Sequence, residues 1–181
     1  MQKQNNYAFI DGNNLILGLR NQDWKLDYQK FHRFLKDKYR IVKAFWFVGY
    51  ISGNEKIYEN LRQAGFELIF KKTVIDRFGK VKGNVDVLLT VKCFEELENF
   101  DGIVLVSGDG DFVDLLRSVE RKGKKVRLMI PDKRYVSSLF RHFPKEKIYL
   151  SHPNIRDKLE FKEKGRGRCG GRTAPQDSRP R

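Results

Sequence analysis

Cysteine, histidine and long apolar runs are scarce in this chain of 181 residues, and each scarcity excludes a class of protein. The two cysteines, Cys93 and Cys169, lie far apart, so neither a disulfide framework nor a zinc site is expected. The three histidines share no spacing that suits a metal. No apolar run approaches the roughly 20 residues that cross a bilayer, and the amino terminus lacks the charged-then-apolar pattern of a signal peptide. We therefore expect a cytoplasmic protein.

Acidic residues are outnumbered: 37 Lys and Arg stand against 23 Asp and Glu, which leaves a net charge of +14. Nucleic acid is the first candidate partner for such a chain, because Lys and Arg bind it by neutralising phosphate. A well-solvated surface explains the same charge equally well. The 40% of hydrophobic residues is typical of a globular domain with its own core.

Strand-like and helix-like patterns alternate along the first 150 residues. The predicted strands are residues 7–11, 41–50, 66–70, 102–107 and 124–131, with an edge strand at 147–150. The predicted helices are residues 26–39, 54–65, 85–100, 111–123 and 134–143. This alternation is typical of a parallel sheet covered by helices on both faces. Residues 151–181 end in a Gly/Arg-rich stretch and are predicted to form a basic, disordered tail.

Four acids lie close to the ends of the predicted strands. Asp11 ends the first strand, Asp109 follows the fourth, Asp111 opens the next helix, and Asp86 opens the helix before the fourth strand. Parallel sheets bind ligands at the carboxyl ends of their strands. Crowded carboxylates repel one another unless a cation binds them, and oxygen ligands suit Mg²⁺ or Mn²⁺. With a basic surface, this indicates metal-assisted hydrolysis of a phosphodiester, although each acid alone also suits a turn or a helix cap.

Three segments resemble the signature blocks of a known family. They are "FIDGNNL" at 9–15, "KGNVDVLLTV" at 82–91 and "VSGDGDFVDLLRSVERKGKKV" at 106–126. In this order they resemble the NYN domain of the PIN-like nuclease superfamily, which includes the LabA-like bacterial proteins. The resemblance implies a domain over residues 1–150, folded as a three-layer α/β/α sandwich whose mainly parallel sheet has strand order 3-2-1-4-5. It also implies a Mg²⁺- or Mn²⁺-dependent ribonuclease site.

The resemblance also assigns roles to individual residues. The catalytic and metal-binding positions that it implies are Asp11, Asp86, Asp109 and Asp111. It gives Asn13 and Ser107 supporting roles, Ser107 by orienting the acids. Two further residues are candidates from their positions: Lys82 could face the scissile phosphate, and Asp114, one helical turn beyond Asp111, is a reserve ligand.

One position departs from the family pattern. Many relatives carry a further Asp six residues after the first Asp of the second block, where this chain has Lys92. A protonated lysine cannot ligate a metal. The departure supports an alternative to the ribonuclease, namely a catalytically weak NYN-type adaptor that binds RNA. A phosphatase-type hydrolase is a third reading, and it is disfavoured because Asn13 stands where such enzymes need a second Asp.

A path for single-stranded RNA is predicted on the segment before the second block. Single strands bind in basic grooves that carry aromatic stacking platforms. The candidate RNA-binding residues on this segment are Lys71, Lys72, Arg77, Phe78 and Lys80. A denser basic patch at 121–127 is expected at the opposite end of the sheet, away from the acids. Because PIN-like domains often pair, a homodimer is compatible with the resemblance.

Overall fold

Six parallel strands form the central sheet of the computed structural model, which describes residues 4–71, 74–75, 81–82 and 85–162. The strands are β1 (Asn6–Asp11), β2 (Ile41–Gly49), β3 (Glu67–Lys71), β4 (Val74–Ile75), β5 (Val81–Lys82), β6 (Gly102–Val106), β7 (Lys125–Ile130) and β8 (Lys147–Tyr149). The helices are α1 (Gly12–Arg20), α2 (Tyr28–Tyr39), α3 (Glu55–Gln63), α4 (Asp86–Glu95), α5 (Val113–Arg121) and α6 (Pro153–Leu159). The sheet order is β3-β2-β1-β6-β7-β8, while β4 and β5 form a separate antiparallel pair.

The observed order confirms the predicted 3-2-1-4-5 arrangement, with β6 and β7 in the places of the fourth and fifth strands. The predicted edge strand is β8, which pairs in parallel with β7. The strand β1 lies at the centre, between β2 and β6, and all six of its residues are buried. Burial on both faces explains why its sequence from Tyr7 to Ile10 is apolar rather than alternating.

The side chains of β1 alternate between two hydrophobic clusters, one on each face of the sheet. Ala8 and Ile10 pack with residues of α1, α2, α3 and α6. Tyr7 and Phe9 pack with residues of α4 and α5. Helices therefore cover both faces of the sheet, which confirms the predicted α/β/α sandwich. Asp11 follows Phe9 at the same parity, so its side chain belongs to the face that α4 and α5 cover.

Helix α1 is the main element that the sequence patterns miss, since "DGNN" there suggests a turn. The helix begins directly at the end of β1, where Gly12 lies against β2. A Cβ atom at Gly12 would overlap the indole nitrogen of Trp46 and come within 2.7 Å of the carbonyl oxygen of Phe47. The missing side chain therefore allows α1 to start in close contact with the sheet.

The prediction of a helix at 134–143 is wrong. It forms two 3₁₀ turns, Lys133–Tyr135 and Ser138–Phe140, joined by extended backbone. The side chains of Asp132 and Ser137 each accept a backbone N–H bond two residues on, which caps a new turn each time. These local caps stabilise two short turns in place of a continuous helix.

Two other predicted helices differ from the structure at their ends. Helix α4 ends at Glu95 and is followed by a 3₁₀ turn, whereas α5 is preceded by a 3₁₀ turn.

The packed structure extends past residue 150. Helix α6 lies inside the segment predicted as a tail; its Leu159 is buried in the core and the helix contacts α2. Residues 163–181 lie outside the described part. In the described part, no helix is both long and apolar enough to cross a membrane.

Replacing Gly12 tests the close start of α1. Alanine is the better helix former by about 1 kcal/mol, but its Cβ would overlap Trp46 and the backbone of β2. We expect Gly12→Ala to lower the free energy of unfolding by about 1–3 kcal/mol, measured by urea denaturation. Asn13→Ala, at an exposed position of the same turn, is the control and should change it by less than about 0.5 kcal/mol. Equal stability of the two variants would contradict the packing argument.

Candidate active site

Asp11 is buried at the carboxyl end of the central strand and is held by two neighbours. It is the N-cap of α1, and its Oδ1 accepts the backbone N–H of Asn14 at 3.1 Å. Ile10 pairs with Val106 across β1 and β6, which brings Asp11 next to Ser107. The Ser107 hydroxyl donates to Asp11 Oδ2 at 3.3 Å. Only 5% of the Asp11 surface is exposed, so the carboxylate has one fixed orientation.

The pKa of Asp11 is raised from 3.8 to about 6, mainly by burial and, to a smaller extent, by the charges of Asp86 and Asp109. The hydrogen bonds from Asn14 and Ser107 act in the opposite direction, because they stabilise the charged form. The two other carboxylates therefore oppose the charged state of Asp11. A cation bound at this edge of the sheet would favour that state.

Ser107 links Asp11 to the acidic loop that follows β6. Its hydroxyl donates to Asp11 and accepts the backbone N–H of Asp109 at 3.1 Å. Asp109 in turn caps the 3₁₀ turn Gly110–Phe112, and its Oδ1 accepts the backbone N–H of Asp111 at 3.1 Å. One hydroxyl, itself fully buried, therefore positions two acids whose strands are far apart in the sequence.

Three acids meet above Asp11. Asp86 is the first residue of α4, and that helix contacts both β1 and the 3₁₀ turn that carries Asp111. Among the described residues, Asp86, Asp109 and Asp111 each offer a carboxylate oxygen, and these oxygens lie within 4.8 Å of one another. Asp86 and Asp109 are half-buried, and Asp111 is exposed. The four acids predicted from the sequence thus converge: three form the cluster, and the buried Asp11 lies beside them.

The acidic loop is also held from its other side. Ser137 donates its backbone N–H to the carbonyl oxygen of Gly108 at 3.0 Å. A Cβ atom at Gly110 would overlap the Ser137 hydroxyl and approach a methyl group of Leu139 to 2.9 Å. The turns after β7, which replace the predicted helix, therefore pack directly against the loop and fix its position.

Comparison with known proteins identifies the family. The model of the NYN domain matches residues 7–151. This chain belongs to the NYN domain family. The resemblance of the three sequence blocks to the NYN domain is thereby confirmed.

Individual relatives agree with this assignment. The low amplitude and bright protein LabA of Synechococcus elongatus is 28% identical over 123 residues, covering 61% of this chain and 66% of LabA. The match thus spans slightly less than two thirds of that relative. A Vibrio parahaemolyticus protein of unknown function has a TM-score of 0.76 at 24% identity, covering 89% of this chain and 100% of that one, and shows the same fold. T5 5′-exonuclease with bound zinc has a TM-score of 0.43 at 18% identity, covering 77% and 60%, too low to establish a shared fold.

In this NYN domain the hydrogen bonds between α1 and the acidic loop are made by Asn14, next to the predicted supporting residue Asn13. Asn13 is exposed on the first turn of α1. Asn14 donates its backbone N–H to Asp11, and its side-chain oxygen accepts the N–H of Gly108 at 2.9 Å. An N-cap Asp usually bonds the third residue of the helix, so recognising α1 would have pointed to Asn14.

Asp114 and Lys92 lie apart from the acidic cluster of the NYN domain. The Asp114 side chain is 88% exposed and pairs with Arg117 at 3.6 Å, so the structure does not bring this reserve ligand to the other acids. Lys92 lies toward the far end of α4, six residues or about 9 Å along the helix from Asp86. Its ammonium group pairs with Glu96 at 2.9 Å, which raises the pKa of Lys92.

The predicted RNA-binding residues fall mostly outside the described part of the chain. Lys71 ends β3 at the same edge of the sheet as the acids and is half-buried. Lys72, Arg77, Phe78 and Lys80 lie outside the described residues. The backbone of Lys82 is part of β5, which pairs with β4, but the position of its side chain is not described.

The raised pKa of Asp11 predicts how stability depends on pH. Between about pH 4 and 6 the folded state binds more protons than the unfolded state, so stability falls as the pH rises through this range. Asp11→Asn removes this loss. In EDTA at neutral pH the variant should be more stable than the native chain by up to about 3 kcal/mol, and the difference should shrink toward about pH 4, as measured by urea denaturation.

The exposed Asp114→Asn serves as the control for that experiment, because it removes the same charge without the burial. Its stability should follow the native chain across the whole range. If Asp11→Asn also followed the native pH profile, burial of Asp11 would not carry the energetic cost that its surroundings indicate.

Proposed function

We propose that this NYN domain is a divalent-metal-dependent ribonuclease that hydrolyses phosphodiester bonds in single-stranded RNA. The observation that carries the proposal is the convergence of Asp86, Asp109 and Asp111 above the buried Asp11 at the carboxyl edge of the sheet. Ligand sites of parallel sheets lie at this edge. The net charge of +14 supports an RNA substrate, since the acids alone would repel phosphate. A cytoplasmic location is part of the same proposal.

The residues at the site fit Mg²⁺ or Mn²⁺. The donors are carboxylate oxygens, with neither Cys nor His among the clustered groups, and such hard donors suit these ions. The ligand oxygens lie within 4.8 Å of one another, close to the spacing around an ion whose bonds are about 2.1 Å long. Asp86, Asp109 and Asp111 would hold the ion, with Asp11 next to them. When bound, the ion supplies Lewis-acid stabilisation of phosphoryl charge and activation of water.

The protein residues supply orientation and charge. Ser107 holds Asp11 and Asp109 in fixed positions, so the acids do not need to reorganise when a cation or phosphate arrives. Asp11 has a pKa of about 6 because burial and neighbouring carboxylates oppose its charge. A cation held beside it would favour the charged form and so would lower the pKa of Asp11.

The main alternative is an NYN-type adaptor that binds RNA without cleaving it. Its support in the sequence was Lys92 in place of an Asp. In the structure Lys92 pairs with Glu95 and Glu96 and lies 5.4 Å from the ring centroid of Phe45. It therefore places no positive charge among the four acids. This position supports the ribonuclease over the adaptor.

Cleavage of labelled single-stranded RNA tests the proposal. We expect cleavage with Mn²⁺ or Mg²⁺, none with EDTA, and a loss of kcat on the order of 100-fold or more in Asp109→Asn. The affinity for RNA should stay equal or increase in this variant, because a negative charge is removed. Asp114→Asn is the matched control and should keep native activity, since Asp114 lies outside the cluster. Tight binding of several RNAs with no metal-dependent cleavage would favour the adaptor.

Ser107→Ala tests the positioning of the acids by the shared hydroxyl. We expect a 10- to 100-fold loss in apparent Mn²⁺ affinity, measured directly by titration calorimetry. Loss of the hydrogen bond to Asp11 also raises the pKa of Asp11 further, so the acidic limb of the pH–rate profile should move to higher pH. Unchanged Mn²⁺ affinity with an unchanged pH profile would reduce Ser107 to a packing residue.

A further inference from the structure

A small cavity opens beside the acidic loop, on the side of helix α1. Its volume is about 240 Å³. One wall is formed by α1 and the residue after it, including Asn14 and Leu17; the other is formed by Asp132 and Tyr135, with Gly108 between them. Gly108 directly precedes Asp109, so the cavity begins one residue away from the cluster of carboxylates.

Asn14 belongs to both the cavity and the candidate active site. Its backbone N–H donates to Asp11 at 3.1 Å, while its side-chain oxygen accepts the N–H of Gly108 at 2.9 Å. These two bonds fix the orientation of the side-chain amide and tie the wall of the cavity to the acids. The cavity and the acids are therefore neighbours that share one rigid connection.

The outer wall of the cavity carries an exposed aromatic ring with a cation beside it. Tyr135 is 67% exposed, and the guanidinium of Arg134 lies 5.6 Å from its ring centroid. Arg134 is held by Asp132, at 2.8 Å between Nη2 and Oδ2, and by the carbonyl oxygen of Asn21 at 2.7 Å. The hydrogen bonds from Arg134 keep the pKa of Asp132 below its usual value. The guanidinium of Arg134 is therefore held in place beside the Tyr135 ring.

We infer that this cavity binds one unpaired nucleobase of the RNA, stacked on Tyr135, next to the phosphate that lies at the acids. The inference rests on the proposed ribonuclease function. The volume is below the roughly 300–1,000 Å³ of typical ligand pockets, which suits a single heterocycle. Aromatic rings and Arg planes are the surfaces on which unpaired bases stack. Leu17, 58% exposed, supplies an apolar contact on the facing wall, and the side-chain amide of Asn14 supplies a polar group at the cavity wall.

The test measures RNA binding by the full chain carrying Asp109→Asn, which keeps the RNA intact. The probes are short single-stranded RNAs in which each nucleotide in turn is abasic. We expect one abasic position to weaken binding by about tenfold. Tyr135→Ala should lower the affinity for the intact RNA to that for the abasic RNA, so that the penalty disappears. Tyr135→Phe keeps an aromatic ring and should retain the penalty. Leu17→Glu, which alters the facing wall, is the second disrupting variant.

Phe94→Ala is the matched control, because Phe94 is an exposed aromatic residue on α4, outside the cavity. It should keep the position-dependent penalty. An equal penalty at all positions, or a penalty that survives both Tyr135→Ala and Leu17→Glu, would overturn the base-binding site.

Cleavage of the same RNAs by the native chain separates the two proposals. Metal-dependent cleavage without any position-dependent penalty overturns the base site and leaves the ribonuclease standing. A Tyr135-dependent penalty without cleavage retains the base site and overturns the ribonuclease. No binding of any of the RNAs would overturn both.

Discussion

A buried carboxylate at the end of the central strand is the constraint on which the rest of the site depends. Asp11 is 95% removed from solvent, since only 5% of its surface is exposed, and two further carboxylates lie near enough to raise its pKa. Such a group destabilises the folded chain at neutral pH unless partners stabilise its charge. The fold supplies Ser107 and the N-terminus of α1, and these partners in turn orient the acidic loop and the first helix.

The segment after β7, which forms capped turns instead of a helix, packs against the acidic loop that Ser107 positions. The carbonyl oxygen of Gly108 and the closely packed Gly110 need a neighbour that follows the loop, and Ser137 fills this place with its backbone N–H and its hydroxyl group. Two short capped turns present Ser137 to the loop and Tyr135 to solvent. In a continuous helix the directions of these two side chains would be fixed by a single helix axis. The wall of the small cavity is thus a consequence of how the acidic loop is fixed.

Lys92 leaves the cluster of acids unaffected for a geometrical reason. Six residues along α4 separate it from Asp86, so the two side chains serve different ends of the helix. At one end Asp86 meets the acidic loop; at the other, Lys92 joins an ion-pair group with Glu95 and Glu96. The substitution therefore changes the ion pairs at the far end of α4, where the side chains of Lys92 and Glu96 are only 26% and 12% exposed. The four acids of the site stay together.

The sequence by itself determined the parallel α/β architecture and the placement of four acids at one edge of the sheet. Both follow from local patterns: apolar strands alternate with amphipathic helices, and Asp stands where strands end. Tertiary structure decided that Asn14 bonds both Asp11 and Gly108, that Asp114 lies apart, and that residues 134–143 form turns. The physical reason is the distance along the chain over which the interacting residues are separated. Hydrophobic periodicity records the burial of each residue, but a hydrogen bond between residues 96 apart in the chain, such as that of Ser107 to Asp11, exists only once the strands have paired.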